Sequence, residues 1–156
     1  MRAKRSLGQN FLVDANLQRA IVQVPAIRES DTVVEIGPGT GALTNHLLDK
    51  SERLVLVELD DQLVRELEAL YQNREDVEII HADFLGLDLS VLSDDFSKVV
   101  VIGNIPYNIT APIIFKLMHF PRPREVVLLV QKEVADRLIA EVGTSEYGAL
   151  SVGLRA

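Results

Sequence analysis

Three glycines within five residues, at positions 37, 39 and 41, interrupt this chain just after an apolar run. The stretch Val33-Val34-Glu35-Ile36-Gly37-Pro38-Gly39-Thr40-Gly41-Ala42-Leu43-Thr44 opens as a buried strand and breaks into a turn. It resumes as a helix carrying Leu43, Leu47 and Leu48. A strand–glycine turn–helix unit lets the backbone approach a ligand closely and points helix N–H groups at it. It implies a nucleotide-like cofactor. Glu58 lies 21 residues after Gly37, close to the spacing at which a strand-end carboxylate grips ribose hydroxyls.

Read as G-x-G-x-x-A, the turn also suits a dinucleotide-binding fold. Glu35 near the strand end, and Gly41 two residues after Gly39, instead make the G-x-G-x-G pattern of S-adenosylmethionine methyltransferases. The remaining chain repeats a βα rhythm. Asp14 caps a first helix striped by Leu17, Ile21 and Val24 and ended by Pro25. Strands are expected at about Thr32–Ile36, Arg53–Glu58, Val77–Ile80, Lys98–Ile102 and Glu125–Val130. The helices between them are expected at about Gly41–Lys50, after Asp60 or Asp61 with a Leu63, Leu67, Leu70 stripe, and from Thr110 and Pro112 through Met118. Lys132 to Val142 reads as a helix stopped by Gly143, and Ser145 as the start of another. Alternation of this kind gives an α/β fold with a doubly wound, mostly parallel sheet of about five strands, Rossmann-like, whose ligands bind beyond the carboxyl ends of the strands.

The 156 residues fit one domain. Zero cysteines exclude disulfides and thiolate metal sites and fit a reducing cytoplasm. No apolar run approaches the roughly 20 residues of a membrane span, so no membrane partner is expected. The net charge of −7 argues against a uniformly basic nucleic-acid surface, but it is unevenly spread. Residues 1–28 carry +4, residues 29–98 carry −12 and residues 99–156 carry +1. An RNA partner would therefore touch the basic N-terminus, where Arg2, Lys4 and Arg5 lie. A solvated basic tail is the plainer alternative.

Three carboxylates stand at successive strand ends: Glu35, Glu58 and Asp83. No His-plus-carboxylate spacing makes them a metal site. Glu58 is placed to accept ribose hydroxyls and Asp83 an adenine amino group; each has a helix cap or loop carboxylate as its alternative. His46, His81 and His119 have no partner at a telling spacing and read as structural or surface residues. The loop Asn104-Ile105-Pro106-Tyr107 carries the sharpest chemical signal. An exocyclic amine on a nucleobase is a poor nucleophile, because its lone pair is delocalised into the ring. Two acceptors, the Asn104 side-chain carbonyl and the Ile105 backbone carbonyl, favour a pyramidal nitrogen. Pro106 rigidifies the loop and removes a competing N–H, and Tyr107 offers a face for a flipped-out base. Catalysis of this kind is positioning plus electrostatics. An Asn-x-Pro turn with Tyr as packing is the alternative.

The chain resembles the small-subunit ribosomal RNA adenine N6-dimethyltransferases almost end to end. The resemblance runs through Ser6-Leu7-Gly8-Gln9-Asn10-Phe11-Leu12, EIGPGTGALT, VELD, the Asp83 region, NIPYNIT, Val130–Leu138 and Tyr147–Val152. It implies S-adenosylmethionine as cofactor, with the glycine turn holding it through Gly37 and its neighbours Glu35, Gly39 and Gly41. Asn10 and Leu12 would close over it, Glu58 hold the ribose, Asp83 meet the adenine, and Asn104 both border the cofactor and present the target amine. Gln9 and Phe11 would lie in an N-terminal segment near the target base. The reaction implied is transfer of four methyl groups to two adjacent adenines near the 3′ end of small-subunit rRNA, on a pre-30S particle; the chain itself is expected to be a monomer. Family members continue past residue 156 through two more strands and a small helical RNA-binding domain. Residues 1–156 are therefore expected to be the methyltransferase domain alone, able to bind cofactor and poor at methylating rRNA.

Two other readings stay open. A macrolide-resistance methyltransferase acting on a large-subunit adenine shares the QNFL-like and NIPY-like motifs; Asn108, QKEVADRL and YGALSV favour the small-subunit enzyme. A non-catalytic RNA-binding assembly or transcription factor on the same fold is disfavoured by the intact NIPY and Glu58.

Overall fold

A computed structural model describes residues 13–130, 133, 135–137 and 149–152 of the chain. Its strands are β1 (Thr32–Ile36), β2 (Arg53–Glu58), β3 (Val77–His81), β4 (Val99–Asn104), β5 (Glu125–Leu129) and β6 (Ala149–Val152). They form one sheet in the order β3-β2-β1-β4-β5-β6. The first five are parallel, and β6 runs antiparallel to β5. Helices α1 (Ala15–Gln23), α2 (Thr44–Leu47), α3 (Asp61–Leu70) and α4 (Tyr107–Met118) complete the described elements, with three short 3-10 turns between β3 and β4.

The sheet is parallel because its strands bury both faces. All five residues of β1, and the first five of β4, are buried, which leaves no room for the polar alternation of a one-sided sheet. Alternate residues feed two cores. Val34, Ile36, Val55, Val57, Val99 and Val101 pack with Ile113 and Leu117 of α4 on one face. Val33, Leu54, Leu56, Val100 and Ile102 pack with Ile21, Leu43, Leu47, Leu67 and Tyr71 on the other. Deleting any of the leucines or isoleucines among them to alanine costs about 2–5 kcal/mol. The chain order reverses between β1 and β4, so the loops leaving those two strands diverge and open a crevice at their carboxyl ends.

Helix faces and ends differ from the sequence expectation. Helix α3 is capped by Asp60, whose carboxylate accepts from Leu63 N–H at 2.9 Å, but it buries Val64, Leu67 and the following Tyr71. Leu70 is 62% exposed. Asp14 caps α1 by accepting from Asn16 and Leu17 N–H, yet Val24 is exposed and Gln18 is buried instead, bonded to His46 at 2.9 Å. In both cases the docking face decided the rotation. Helix α2 is only four residues long, because positive φ at Gly41 keeps residues 41–43 in a turn. Helix α4 starts at Tyr107, ahead of the expected Thr110, with Pro106 as its N-cap residue and Pro112 inside it. The helix expected after Ser145 is not formed at Ala149–Val152; those residues pair with Val126–Leu129 and cover a strand that would otherwise be a bare edge. The expected helix at Lys132–Val142 lies largely outside the described residues. No helix among the described residues is long and apolar enough to cross a membrane.

Candidate active site

The glycine turn is built by φ angles that only glycine takes freely: 64° at Gly37, 58° at Gly39 and 93° at Gly41. Gly37 N–H donates to the Val57 carbonyl at 2.9 Å, which draws the turn against the end of β2. There Glu58, 7% exposed, gathers three amides. Its Oε1 accepts from Gly39 N–H at 3.1 Å, and its Oε2 from Leu59 and Asp60 N–H at 2.9 and 3.1 Å. One carboxylate thus joins the glycine turn to the loop opening α3. A carboxylate offers about four lone-pair directions, so these amides leave it with accepting capacity in a fixed orientation.

Beside it lies a cavity of about 210 Å³ at the carboxyl ends of β1, β2, β3 and β4. Its polar lining is Glu58, Asp83 and Asn104; Ile36, Val57, Leu59, Phe84, Ile105, Ile109 and Ile113 make it mostly apolar. Apolar walls with a few convergent polar groups suit a flat heteroaromatic ring. Gly37 also lines it, and nothing lies within 4 Å of where a Cβ at 37 would sit. A side chain there would take up cavity space, so the site fits a ligand pressed against bare backbone.

Asp83 works twice. It accepts from Leu85 N–H at 3.1 Å, capping the 3-10 turn Phe84–Gly86, and it lines the cavity. Opposite, Asn104 is the last residue of β4, where a loop was expected. The next peptides are held firmly. Ile105 N–H donates to the Leu129 carbonyl at 3.0 Å, while the Pro106 carbonyl accepts from Ile109 N–H at 3.2 Å and from the buried Thr110 hydroxyl at 3.0 Å. Gly103, expected in the loop, lies inside β4 and lets it run close against β1: a Cβ there would lie 2.8 Å from the Ile36 carbonyl oxygen. A glycine inside a strand was its only sequence signal.

Glu35 is a correction. Its side chain does not line the cavity. One residue before Ile36, it points to the other face of the sheet, 2% exposed, with the Thr44 hydroxyl donating to its Oε1 at 2.5 Å. Burial pushes its carboxyl up to about 8, against the Thr44 bond and with help from the negative charge of Glu58. The Tyr71 hydroxyl, buried behind the same turn, has no hydrogen-bond partner and is also pushed up by burial and by Glu35. Gly39 and Gly41 shape the turn without lining the cavity; a Cβ at 41 would meet the Tyr71 hydroxyl at 3.7 Å. Asn10, Leu12, Arg2, Lys4, Arg5, Gln9 and Phe11, and the side chain of Tyr107, lie outside what the structure describes.

The histidines are tied elsewhere: His81 to Asp61 at 2.8 Å and His119 to the Phe115 carbonyl at 2.7 Å. A larger open cleft lined by Glu29, Asp49, Glu52 and Asp76 lies at the opposite ends of the strands, and Arg74 neutralises two of its carboxylates. Among the described residues, no group of three or more His, Cys, Asp or Glu is placed to hold a metal ion.

Comparison with known proteins places the whole chain in one family. The family model for ribosomal RNA adenine dimethylase matches residues 1–156. The chain belongs to that family. The ribosomal RNA small subunit methyltransferase A of Shouchella clausii is 44% identical to this adenine dimethylase family member over 154 residues, covering 96% of this chain and 52% of that protein. The chain spans about half the length of the curated relatives it matches. A dimethyladenosine transferase from Plasmodium falciparum superposes with a TM-score of 0.70 at 33% identity, covering 87% of this chain and 48% of that one. The 23S rRNA methyltransferase ErmE superposes with a TM-score of 0.73 at 28% identity, covering 86% and 53%. The fold is the Rossmann-like fold of class I methyltransferases.

Proposed function

We propose that this chain is the cofactor-binding and catalytic part of an S-adenosylmethionine-dependent rRNA adenine N6-dimethyltransferase. Its substrate on this reading is a pair of adjacent adenines near the 3′ end of small-subunit rRNA, met on a pre-30S particle in the cytoplasm by a monomer. One observation carries the reading: Gly37, Glu58, Asp83 and the Asn104–Pro106 loop line a single cavity.

The cofactor supplies an electrophilic methyl carbon on a sulfonium. The chain's own residues bind and orient. Glu58, already fixed by three amides, accepts ribose hydroxyls, and the Asp83 carboxylate accepts from the adenine amino group. Leu59 and Phe84 flank the ring with apolar surface. Asn104 Oδ1 and the Ile105 carbonyl accept the two hydrogens of the target amine, freeing its lone pair from the ring. The Leu129 and Thr110 bonds stop that loop from relaxing when the amine arrives. The N-methylated product nitrogen is acidic and releases its proton to water, so no strong base is required. Asn10 and Leu12 close over the cofactor, Tyr107 stacks on the extruded base, and Arg2, Lys4, Arg5, Gln9 and Phe11 contact RNA.

Calorimetric titration with S-adenosylhomocysteine tests the pocket. Binding by the unaltered chain and its loss in Glu58→Ala supports the reading; binding of NAD instead overturns it. A large-subunit adenine is the second reading, favoured by the similarity to ErmE. Methyl incorporation into small-subunit particles against large-subunit rRNA separates the two.

A further inference from the structure

The cavity has two walls that the chain delivers from opposite sides of the crevice. Asp83 and Phe84 come from the turn after β3, whereas Asn104–Pro106, Ile109 and Ile113 come from the end of β4 and from α4. No strand pairing joins these walls, because β2 and β1 stand between β3 and β4. Lys116 spans the gap. It follows Ile113 by three residues, so the two are neighbours on one side of α4. Its half-buried ammonium donates to the Leu85 carbonyl at 2.9 Å and to the Leu87 carbonyl at 2.5 Å. It also lies 5.7 Å from the centroid of the Phe84 ring.

These bonds go where the turn needs them. The turn's own bonds run from Gly86 N–H to the Asp83 carbonyl and from Leu87 N–H to the Phe84 carbonyl. The Leu85 and Leu87 carbonyls, past that ladder, meet the lysine. A charged donor makes a stronger bond than a neutral one, and two of them on one turn fix its rotation as well as its distance.

We infer that Lys116 is a positioning residue for adenine recognition: by tying the Leu85 and Leu87 carbonyls to α4, it sets the separation of Asp83 from the Asn104–Pro106 wall. That separation is the width of the slot that receives the adenine ring. The inference rests on the reading of Asp83 as the contact to the adenine amino group.

The test is titration with S-adenosylhomocysteine and with S-inosylhomocysteine, which presents a carbonyl where adenine has its amine. Failure of the unaltered chain to bind the first overturns the functional reading itself, separately from the role of Lys116. With binding established, Lys116→Met should weaken the adenine ligand about tenfold and close most of the gap between the two ligands. Lys116→Arg still reaches both carbonyls and should bind within about threefold of the unaltered chain. In an Asp83→Ala background, Lys116→Met should cost less than about twofold, because the lysine acts through that carboxylate. Lys116→Gln, with a shorter stem and an uncharged amide in place of the ammonium, carries the same test if the methionine variant does not fold. Either full additivity with Asp83→Ala, or an unchanged preference for adenine over hypoxanthine in a variant that merely melts earlier, makes Lys116 a structural staple and overturns the inference.

Discussion

Replacing Glu35 by glutamine keeps an acceptor for the Thr44 hydroxyl and removes one ionisable proton from behind the glycine turn. In the folded chain the Glu35 carboxyl is pushed up to about 8 from 4.5, chiefly by burial. Between those values the unfolded chain ionises while the folded chain keeps its proton. The folded state then binds more protons than the unfolded one, so the stability this group contributes is fully present below pH 4.5 and is lost as pH rises toward 8. The slope approaches about −1.4 kcal/mol per pH unit, so roughly 2.5 kcal/mol disappears between about pH 5.5 and 7.5. Urea unfolding of both chains across that range measures it, with the stability of Glu35→Gln minus that of the unaltered chain as the readout. That difference should rise by about 2.5 kcal/mol, because histidines and other groups common to both chains cancel. The carboxyls of Asp31 and Asp76 are held below 3.8 and titrate outside the window. A difference flat to within about 0.5 kcal/mol would mean that Glu35 is ionised in the folded chain, and the reasoning from burial would fail.

Gly37→Ala meets no atom within 4 Å, so it should cost only about 1 kcal/mol for its positive φ, yet weaken S-adenosylhomocysteine binding more than tenfold; calorimetry alongside thermal unfolding checks the contrast, and parallel small losses would count against the cavity. Gly103→Ala puts a methyl 2.8 Å from a main-chain oxygen that cannot swing aside, and should cost about 2–3 kcal/mol in urea unfolding; a loss no larger than that of Gly37→Ala refutes the close approach of β1 and β4. Arg124→Met strips the buried Asp31 carboxylate of its two guanidinium bonds, both 2.6 Å. Burial pulls the Asp31 carboxyl up, but Arg124, together with the Arg28 amide and charge, holds the group below its usual range. The loss should be about 3 kcal/mol near neutral pH and shrink below about pH 4 as Asp31 takes up a proton, which unfolding at both pH values measures.

Strands were legible because a parallel strand covered on both faces is a run of apolar residues bounded by turns. Thr32–Ile36 and Arg53–Glu58 stand where the pattern puts them, residue for residue. Helix faces were less so. A short helix carries more apolar positions than it can bury, and the sheet decides which are covered: Val64, Leu67 and Tyr71 were taken, Leu70 was left. Four residues at Ala149–Val152 hold too little periodicity to reveal a strand whose reason for forming is the open edge of β5.

The candidate site divides along the same line. Motif spacing, read along the chain, determined that a glycine turn, a ribose-spaced carboxylate and an Asn-Ile-Pro-Tyr loop would each follow a strand; the pairing of β1 with β2 and β4 made those strands neighbours. The family resemblance was equally readable without coordinates, since it resides in residue identities. Only the tertiary structure decided which of these side chains face the cavity. Glu35 and Ile36 are adjacent in sequence, but the pleat sends one behind the turn and the other into the slot. It alone revealed Gly103 and Lys116, whose significance comes from the Ile36 carbonyl, 67 residues away, and from the Leu85 and Leu87 carbonyls, 31 and 29 residues away. No local pattern encodes a contact of that kind, because it is created when strands pair and helices dock.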